Sequence, residues 1–350
     1  GGGNSRPYTI TRSGPTIGNP MTVNDSLGEI VSQIHETGTL AVPYLLQAYL
    51  DNDPPTDPAL ATLQEAYLNE WRVRPLRLGP WSAGGTRLGC TLICMNSSYQ
   101  DCLVHTAQRM ITEYGVDGLY FDGCSFGSCQ NLDHGCGWQD DKGVAHPTWS
   151  ILATRRTMKR LYTLLAHAKR GQAESPSVVS RQRQPWLDFV IWGHNSSAAV
   201  PPVHSFITLR YDGEQFQGVA SSGLHYKDLL SPDLFTAEFT ATQTGIQLSY
   251  LAFSANKDEA EPRSILAYLL PYGAPFLPDY LNPALVEKVF AAQDTFETRR
   301  AEFVPTWERD PAVTLAESAP DLLLAHWRRD GRYLVVVSNV GPAARDVTLL

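Results

Sequence analysis

The sequence predicts an α/β fold: a (β/α)8 barrel of the TIM type, followed by the start of a C-terminal β-sandwich. Strand and helix patterns alternate over most of the 350 residues, which is typical of parallel βαβ units. Three separate strands end in polar side chains, at Asp122, at His194-Asn195 and at Asp212-Gly213-Glu214. In a barrel such strand ends converge on one face, where active sites lie. The barrel is therefore favoured over a doubly wound sheet, and no G-x-G-x-x-G follows a strand to indicate dinucleotide binding.

Local signals define the first elements. Segment 39–53 opens with a buried strand that ends near Tyr44, and segment 90–95 predicts another strand. A helix is predicted after a capping box formed by Ser98 and Asp101, and a glycine follows its last turn. The apolar positions of this helix recur with helical spacing.

The stretch GVDGLYFDG (115–123) predicts a strand buried on both faces that runs directly into Asp122. A carboxylate where a buried strand reaches the surface is costly unless it is paired or used. We therefore expect Asp122 to line a pocket; the alternative is that it only caps the next turn. Asp117 and Asp188 precede their strands, at the opposite end, which indicates structural roles.

The middle of the chain continues the alternation. A loop rich in Gly and Cys (123–147) precedes a long helix with Thr148 as its candidate cap. Further strands are predicted at 187–195, 205–214 and 245–253, separated or followed by helices near 232–243, 261–270 and 283–299.

After residue 302 the pattern changes to short strands with a turn at Asp330-Gly331 and no long helix. We therefore expect a barrel domain over residues 1–302 and a β-rich domain over 303–350 that stops in mid-pattern. The chain begins with Gly rather than Met, which is compatible with a missing upstream segment.

Composition restricts the function classes. A formal charge of −8 argues against a polyanionic partner, so no nucleic acid is expected. No run of 18 apolar residues occurs, so no membrane span is expected. No H-E-x-x-H motif or phosphate loop is present, and we expect no cofactor and no metal ligand among the site residues. No signal peptide is visible, but the expected location is nevertheless secreted or periplasmic.

Six cysteines lie between positions 90 and 136 and none elsewhere: Cys90, Cys94, Cys102, Cys124, Cys129 and Cys136. Local disulfides in an oxidising compartment are the leading interpretation. A zinc site built from Cys124, Cys129, His134 and Cys136 is the alternative, although this spacing matches none of the usual paired C-x2-C patterns. Free buried thiols are a third possibility, and the sequence alone does not choose among the three.

Segment 205–214 alternates with period two, as a half-buried strand does. Ile207, Leu209 and Tyr211 lie on one face, and Thr208, Arg210, Asp212 and Glu214 lie on the other. If Gly213 continues the strand, Asp212 and Glu214 are close neighbours. Two such carboxyls shift each other's pKa values apart, which leaves one of them as an acid near neutrality. Arg210 would keep the other ionised; the alternative is a solvated strand end.

Other side chains indicate a sugar-binding site. His194 and Asn195 are suited to hydrogen-bond a hydroxylated ligand, or else they are polar groups satisfied in the core. His134 is a pocket residue if its loop folds over the barrel mouth, and a surface residue otherwise. Aromatic residues suited to stacking on sugar rings are Trp138, Trp192, Tyr211 and Phe216. Carboxylates combined with such residues are what hydrolysis of a glycosidic bond requires.

Several motifs together resemble a group of bacterial barrel proteins related to glycoside hydrolase family 123. They are EYGVDGLYFDG, NLDHGCGW, HPTWSILATRRTMKRLYTLL, HNSS and DGEQF, and the resemblance runs from about residue 30 to residue 300. It implies a (β/α)8 barrel flanked by β-sandwich domains. Family 123 contains β-N-acetylgalactosaminidases that use substrate-assisted catalysis by an adjacent Asp-Glu pair. The nearest counterpart here is Asp212-Gly213-Glu214, with a Gly between the acids, and Asp122 resembles the nucleophile position of α-galactosidase-like barrels.

We therefore expect a glycosidase acting on an oligosaccharide or polysaccharide, with β-N-acetylhexosaminidase-like specificity implied by the resemblance. Glu214 is the expected general acid/base, with Asp212 or Asp122 as its partner. The expected substrate-binding residues are Tyr44, His134, Trp138, His194, Asn195 and Arg210. Two alternatives stay open: a barrel that binds glycans without cleaving them, and a metal-dependent carbohydrate enzyme using Asp122, His134 and His194. The sugar, the linkage, the stereochemical course and the oligomeric state are not predicted.

Overall fold

A computed structural model describes residues 26–51, 55, 57–75, 82–83, 86–87, 90–124, 126–170, 189–195, 199–216, 224–240, 245–252, 260–278, 281–308, 310 and 312–350. The chain divides into two compact units, one of residues 1–195 with 199–209 and one of residues 196–198 with 210–350. Asp188, for which a structural role is predicted, lies outside the described residues. In the described part of the chain no helix is long and apolar enough to cross a membrane.

The first unit contains strands and helices in alternation. Its helices are α1 (Leu27–Glu36), α2 (Pro58–Trp71), α3 (Tyr99–Tyr114), α4 (Ile151–Arg170) and α5 (Pro201–His204). Its strands are β1 (Tyr44–Leu46), β2 (Tyr49–Asp51), β3 (Ser82–Ala83), β4 (Thr86–Arg87), β5 (Cys90–Leu92), β6 (Gly118–Asp122), β7 (Ser128–Cys129), β8 (Trp138–Gln139), β9 (Ala145–His146), β10 (Thr148–Trp149) and β11 (Val190–His194).

The centre of this unit is a parallel sheet in which β6 lies between β1 and β11. Leu119 and Phe121 of β6 are fully buried. Tyr120 and Asp122 project from the opposite face of the strand, because successive side chains alternate. The two faces of this strand therefore differ in chemistry. A parallel strand of a barrel has this property, because one face packs on helices and the other faces the barrel interior.

Asp117, just before β6, ties three elements together. Its Oδ1 accepts a hydrogen bond from Nζ of Lys169 at 2.7 Å, in the last turn of α4. Its Oδ2 accepts one from the backbone N–H of Ala41 at 2.9 Å and lies 2.7 Å from Nε2 of His35, at the end of α1. Burial alone would raise the pKa of Asp117, but these hydrogen bonds, with that from Lys169 foremost, hold it below its ordinary value. The contacts agree with the structural role predicted for this residue.

The predicted caps of two helices differ in the structure. Ser98 precedes α3, but its hydroxyl donates to Glu70 instead of capping the helix, and Asp101 pairs with Arg160 at 2.6 Å. Thr148 lies in strand β10 rather than at the start of α4, and its hydroxyl accepts a hydrogen bond from the N–H of Gly137 at 2.9 Å. Both side chains have found partners on other elements, which sequence spacing does not reveal.

The second unit continues with β12 (Leu209–Asp212), α6 (Tyr226–Leu229), α7 (Pro232–Phe239), β13 (Gln247–Tyr250), α8 (Ala260–Leu269), α9 (Pro283–Phe296), β14 (Glu302–Val304), β15 (Leu322–Arg329) and β16 (Arg332–Asn339). Strands β12 and β13 are neighbours, and the N–H of Leu251 donates to the carbonyl of Asp212 at 2.7 Å. Aromatic residues form much of the buried core, among them Tyr226, Phe235, Phe239, Tyr250 and Tyr268.

Strands β14, β15 and β16 form an antiparallel sheet. Asp330 and Gly331 join β15 to β16 with φ values of 51° and 72°, as a two-residue hairpin turn with two positive φ angles requires. The predicted change to short strands after residue 302 and the predicted turn therefore agree with the structure. The domain boundary at residue 302 stays a prediction. In the structure this sheet and the helices of residues 210–300 belong to one compact unit.

Candidate active site

Asp122 lies at the carboxyl end of β6, where it accepts hydrogen bonds from three groups. Its Oδ2 accepts from the hydroxyl of Tyr44 on β1. Its Oδ1 accepts from the N–H of Gly123 at 2.7 Å and lies 3.0 Å from Nδ1 of His194, the last residue of β11. Three neighbouring strands thus position one carboxylate, as expected where parallel strands end together.

The contacts of Asp122 fix its charge. Burial alone would raise the pKa of Asp122, since its side chain is only 16% exposed. The contact with His194, together with the Tyr44 hydroxyl and the Gly123 amide, holds the pKa of Asp122 below its ordinary value. Asp122 is therefore ionised at neutral pH, which suits a nucleophile or a group that stabilises positive charge and excludes a proton donor.

A row of aromatic rings crosses the sheet beside this carboxylate. Tyr44 and Trp192 are both paired in register with Tyr120 on the central strand. The Tyr44 and Tyr120 ring centroids are 5.1 Å apart, and those of Tyr120 and Trp192 are 5.2 Å apart. The Tyr120 hydroxyl lies 2.9 Å from Nδ1 of His194. The same sheet face thus combines a charged carboxylate with aromatic surface, a composition suited to sugar rings.

Tyr120 is the residue that the sequence-based site prediction missed. It lies two positions before Asp122, and period-two alternation puts both side chains on one face of the strand. That signal was present in the sequence, because the strand itself was predicted. The contact between Tyr120 and His194 joins residues 74 positions apart and has no sequence signature.

Asn195 lies beyond the end of β11, within a buried group. Its Nδ2 is 3.3 Å from Nε2 of His204, which is itself 3.3 Å from the carbonyl oxygen of Cys124. Nδ1 of His204 accepts a hydrogen bond from the N–H of Val200 at 3.0 Å. Asn195 and His204 are 7% and 1% exposed, so these contacts favour the core alternative for Asn195 over sugar binding.

In the second unit Arg210 and Asp212 form a buried ion pair at the end of β12, between Nη2 of Arg210 and Oδ2 of Asp212. Oδ1 of Asp212 accepts a hydrogen bond from the N–H of Gly213 at 2.7 Å. Burial lowers the pKa of Arg210, whose side chain is 5% exposed. Arg210 is thus the ion-pair partner of Asp212, as predicted.

The prediction that Asp212 and Glu214 alternate along one strand is wrong. The strand ends at Asp212, and Glu214 begins a short 3-10 helix, Glu214–Phe216. Gly213 causes the break: its φ of 108° is a backbone conformation that favours glycine, and a Cβ there would approach the Leu251 carbonyl oxygen to 2.7 Å. Glu214 is partly buried immediately after this turn.

The described contacts of the predicted loop residues are with groups other than the Asp122 carboxylate. His134 is in a 3-10 turn, Leu132–His134, where its Nε2 lies 3.4 Å from Sγ of Cys129. Trp138 is 53% exposed and stacks on His146 with a centroid separation of 4.3 Å. Their roles in substrate binding stay predictions, since neither residue has a described contact with Asp122.

Two interpretations of the metal-ligating side chains need correction. Among the described residues, the ligand atoms of Asp122, His134 and His194 do not form a group that could share an ion, because His134 turns towards the cysteines. The predicted disulfides are also not found: the five cysteines whose side chains are described, Cys94, Cys102, Cys124, Cys129 and Cys136, carry unbridged thiols. The sulfurs of Cys94 and Cys136 are 3.8 Å apart, well beyond the disulfide bond length of about 2.05 Å.

Comparison with known proteins identifies the fold. No protein-family model matches the sequence, and no curated protein matches it. Among solved structures, the chain is similar to the α-amylase GTA of Geobacillus thermoleovorans complexed with acarbose, with a TM-score of 0.52 and 12% identity, over 95% of this chain and 76% of that one. It is also similar to Amy13B of Eubacterium rectale, with a TM-score of 0.51 and 11% identity, over 95% and 78% of the two chains.

A third similar structure is AmyB of Thermotoga neapolitana, a noncanonic maltogenic α-amylase, with a TM-score of 0.50, 11% identity and coverage of 95% and 76%. At such identities the likeness concerns the fold. The predicted fold class is confirmed: the chain has the (β/α)8 barrel fold of these structures, and strands β1, β6 and β11 of the first unit form a parallel sheet.

Proposed function

We propose that this chain is a glycoside hydrolase in which Asp122 is the charged carboxylate of the catalytic site. One observation carries the proposal: an ionised carboxylate at the end of a parallel strand, held by His194 and Tyr44 beside a row of aromatic rings. A buried charge of this kind is costly unless it is used or paired. Two of the solved structures of the same fold named above are α-amylases, which supports a carbohydrate substrate.

Asp122 acts in this proposal as the nucleophile or as the group that stabilises the oxocarbenium ion. A carboxylate offers about four lone-pair sites, and the Tyr44, His194 and Gly123 donors use three of them. Counting the described residues only, one site stays available for the anomeric carbon or for a sugar hydroxyl. His194 holds the carboxylate in one orientation, as preorganised catalysis requires.

The proton donor must be a different residue, because Asp122 is ionised. We assign this role to Glu214, which lies just after the carboxyl end of β12. Asp212, ion-paired with Arg210, is then a second ionised carboxylate rather than an acid. Hydrolysis requires one group to protonate the leaving oxygen and another to attack or stabilise the sugar, and this assignment gives each carboxyl one task.

We propose two candidates for the sugar that the protein recognises. The solved structures of the same fold favour an α-glucan, whereas the resemblance to glycoside hydrolase family 123 implies a β-N-acetylhexosaminide. Gly213 between Asp212 and Glu214 separates the two acids that family 123 has next to each other. We therefore place the α-glucan first; the relationship to family 123 and the secreted or periplasmic location stay predictions.

Product release from a panel of aryl glycosides and polysaccharides, including starch and N-acetylgalactosaminides, tests the proposal. Wild-type protein should release sugar from at least one, and Glu214→Gln should lower the rate on poor leaving groups by about 10²- to 10⁴-fold. Activated aryl glycosides should be affected less, since they need little protonation. Binding without product from any substrate would instead indicate a non-catalytic glycan-binding barrel, and unchanged hydrolysis by the variant would exclude Glu214 as the acid.

A further inference from the structure

A second group of chemically reactive side chains lies in the loop region that follows β6. Cys94, Cys129, His134 and Cys136 bring their four ligand atoms within 4.8 Å of one another. The three cysteines are at most 3% exposed, and Val73 and Leu92 pack against them. We propose that these four residues form a structural zinc site.

The distances fit a tetrahedral ion. Zinc bonds of about 2.3 Å to sulfur and 2.0–2.1 Å to nitrogen put the ligand atoms of a tetrahedron roughly 3.5–3.8 Å apart. The Sγ atoms of Cys94 and Cys136 are 3.8 Å apart, and Sγ of Cys129 lies 3.4 Å from Nε2 of His134. Three sulfurs and one imidazole are a soft donor set that selects zinc over calcium or magnesium.

His134 is oriented as a metal ligand. Its Nδ1 donates a hydrogen bond to the backbone carbonyl of Glu70 at the end of α2. This places the proton on Nδ1 and leaves the Nε2 lone pair directed at the sulfurs. Metal-bound histidines characteristically donate their second ring nitrogen in this manner. A histidine that only packed beside buried thiols would not need this hydrogen bond from its second ring nitrogen.

The backbone around the cluster supports the same arrangement. The N–H of Asn131 points at Sγ of Cys129 with a separation of 3.4 Å. The side-chain amide of Asn131 donates to the carbonyls of Asn69, Glu70 and Arg72, which ties the loop to the end of α2. Gly135 adopts φ 74° between His134 and Cys136, so the chain turns both ligands inward.

A disulfide explains less of this arrangement. A bridge between Cys94 and Cys136 would use two sulfurs and leave a third thiol and an oriented imidazole at the same point. Zinc uses all four groups, and binding releases the thiol protons to solvent without any oxidant. With four protein ligands the site is closed, so the ion holds structure rather than performing chemistry. It ties the end of β5 to the loop between β6 and α4, which begins directly after Asp122.

This set of four ligands differs in one residue from the set that sequence spacing suggests. Cys124 is nearer in sequence to Cys129, but its sulfur packs beside Gly193, where an added Cβ would lie 3.2 Å from it. Cys94 comes from the strand region before α3 and provides the fourth ligand. The pair Cys94→Ser and Cys124→Ser therefore separates the two ligand sets.

The test is metal analysis of the full chain, purified under reducing conditions from medium containing zinc. Wild type, Cys124→Ser and the control Cys102→Ser should each carry one zinc per chain. Cys94→Ser and His134→Ala should bind zinc more than about 100-fold more weakly in competition with a chelator, because loss of even an outer partner of a metal ligand costs about 10- to 100-fold.

Cobalt substitution of the wild-type protein gives a readout that does not depend on how the variants fold. The cobalt protein should show thiolate charge-transfer bands and the intense visible absorption of a tetrahedral ion. Wild-type protein without zinc, a Cys94–Cys136 disulfide in the reduced preparation, or zinc lost from Cys124→Ser but kept in Cys94→Ser would each overturn the proposal. Activity on glycosides plays no part in this test, so it stands apart from the proposed function.

Discussion

Replacing Lys169 with Met should destabilise the first unit in a manner that depends on pH. Lys169 and Asp117 are 8% and 12% exposed in their side chains, and they form a salt bridge of 2.7 Å. Removing one partner of a buried pair costs about 3–5 kcal/mol, because the other charge stays buried without it. His35 and the N–H of Ala41 still contact Asp117, so we expect the lower end, about 3 kcal/mol at pH 7.

The pH dependence follows from the lowered pKa of Asp117. A carboxyl whose pKa is lower in the folded state contributes stability above its unfolded pKa, about 3.9, and loses that contribution as pH falls through its folded pKa. The difference between wild type and Lys169→Met should therefore be largest near pH 7. It should shrink as the solution is acidified and Asp117 becomes protonated in both proteins.

Denaturant unfolding followed by circular dichroism at a series of pH values measures this difference. Lys159→Met is the matched control, because Lys159 is exposed on the same helix, and exposed substitutions typically change stability by less than about 0.5 kcal/mol. Equal unfolding free energies for the two variants at pH 7 would refute the reasoning. A loss in Lys169→Met that stays constant with pH would assign its cause to packing of the side chain rather than to charge.

Two further predictions concern the residues around the carboxylates. Gly213→Ala should lower stability by about 1–3 kcal/mol, and Gly245→Ala should lower it by less. Both glycines have positive φ, but only at Gly213 would an added Cβ contact a backbone oxygen. Equal melting temperatures for the two variants would argue against this close contact. Tyr44→Phe removes one hydrogen bond that lowers the pKa of Asp122, so the acidic limb of the rate profile for kcat/KM should move to higher pH. Tyr67→Phe, at an exposed ring, should leave that limb in place, and an unmoved limb in Tyr44→Phe would show that Asp122 does not control it.

Much of the fold could be predicted from the sequence because its signals are local. The apolar run of β6, the helical spacing of α3 and the Asp330-Gly331 turn each involve residues that are close in the chain. The position of Asp122 at a strand end follows from the same pattern. Strand limits were less certain, since the φ of Gly213, not the alternation of polar residues, ends β12.

The partners of the site residues could not be predicted because they come from distant parts of the chain. Asp122 meets Tyr44 from 78 positions away, and no spacing rule relates them. The cysteine cluster shows the same limit: proximity in sequence suggested Cys124, whereas the structure brings in Cys94. Side chains that cap or ligate across elements depend on how those elements pack, which composition and periodicity do not contain.

The most direct test of the central claim compares Asp122→Asn with Asp117→Asn, two substitutions of the same kind at opposite ends of β6. For Asp122→Asn we expect activity per folded molecule to fall at least about 100-fold. Its stability should fall by about 1–3 kcal/mol, because the charge-assisted contact with His194 is lost. For Asp117→Asn we expect reduced stability with near-normal activity per folded molecule, since its partners are structural.

Initial rates on the best substrate, normalised to the folded fraction from thermal melting, decide between the two roles of Asp122. A folded but inactive Asp122→Asn beside an active Asp117→Asn is the predicted result. An Asp122→Asn protein that hydrolyses its substrate at the wild-type rate would contradict the account and leave Asp122 as a structural residue of the turn that follows β6.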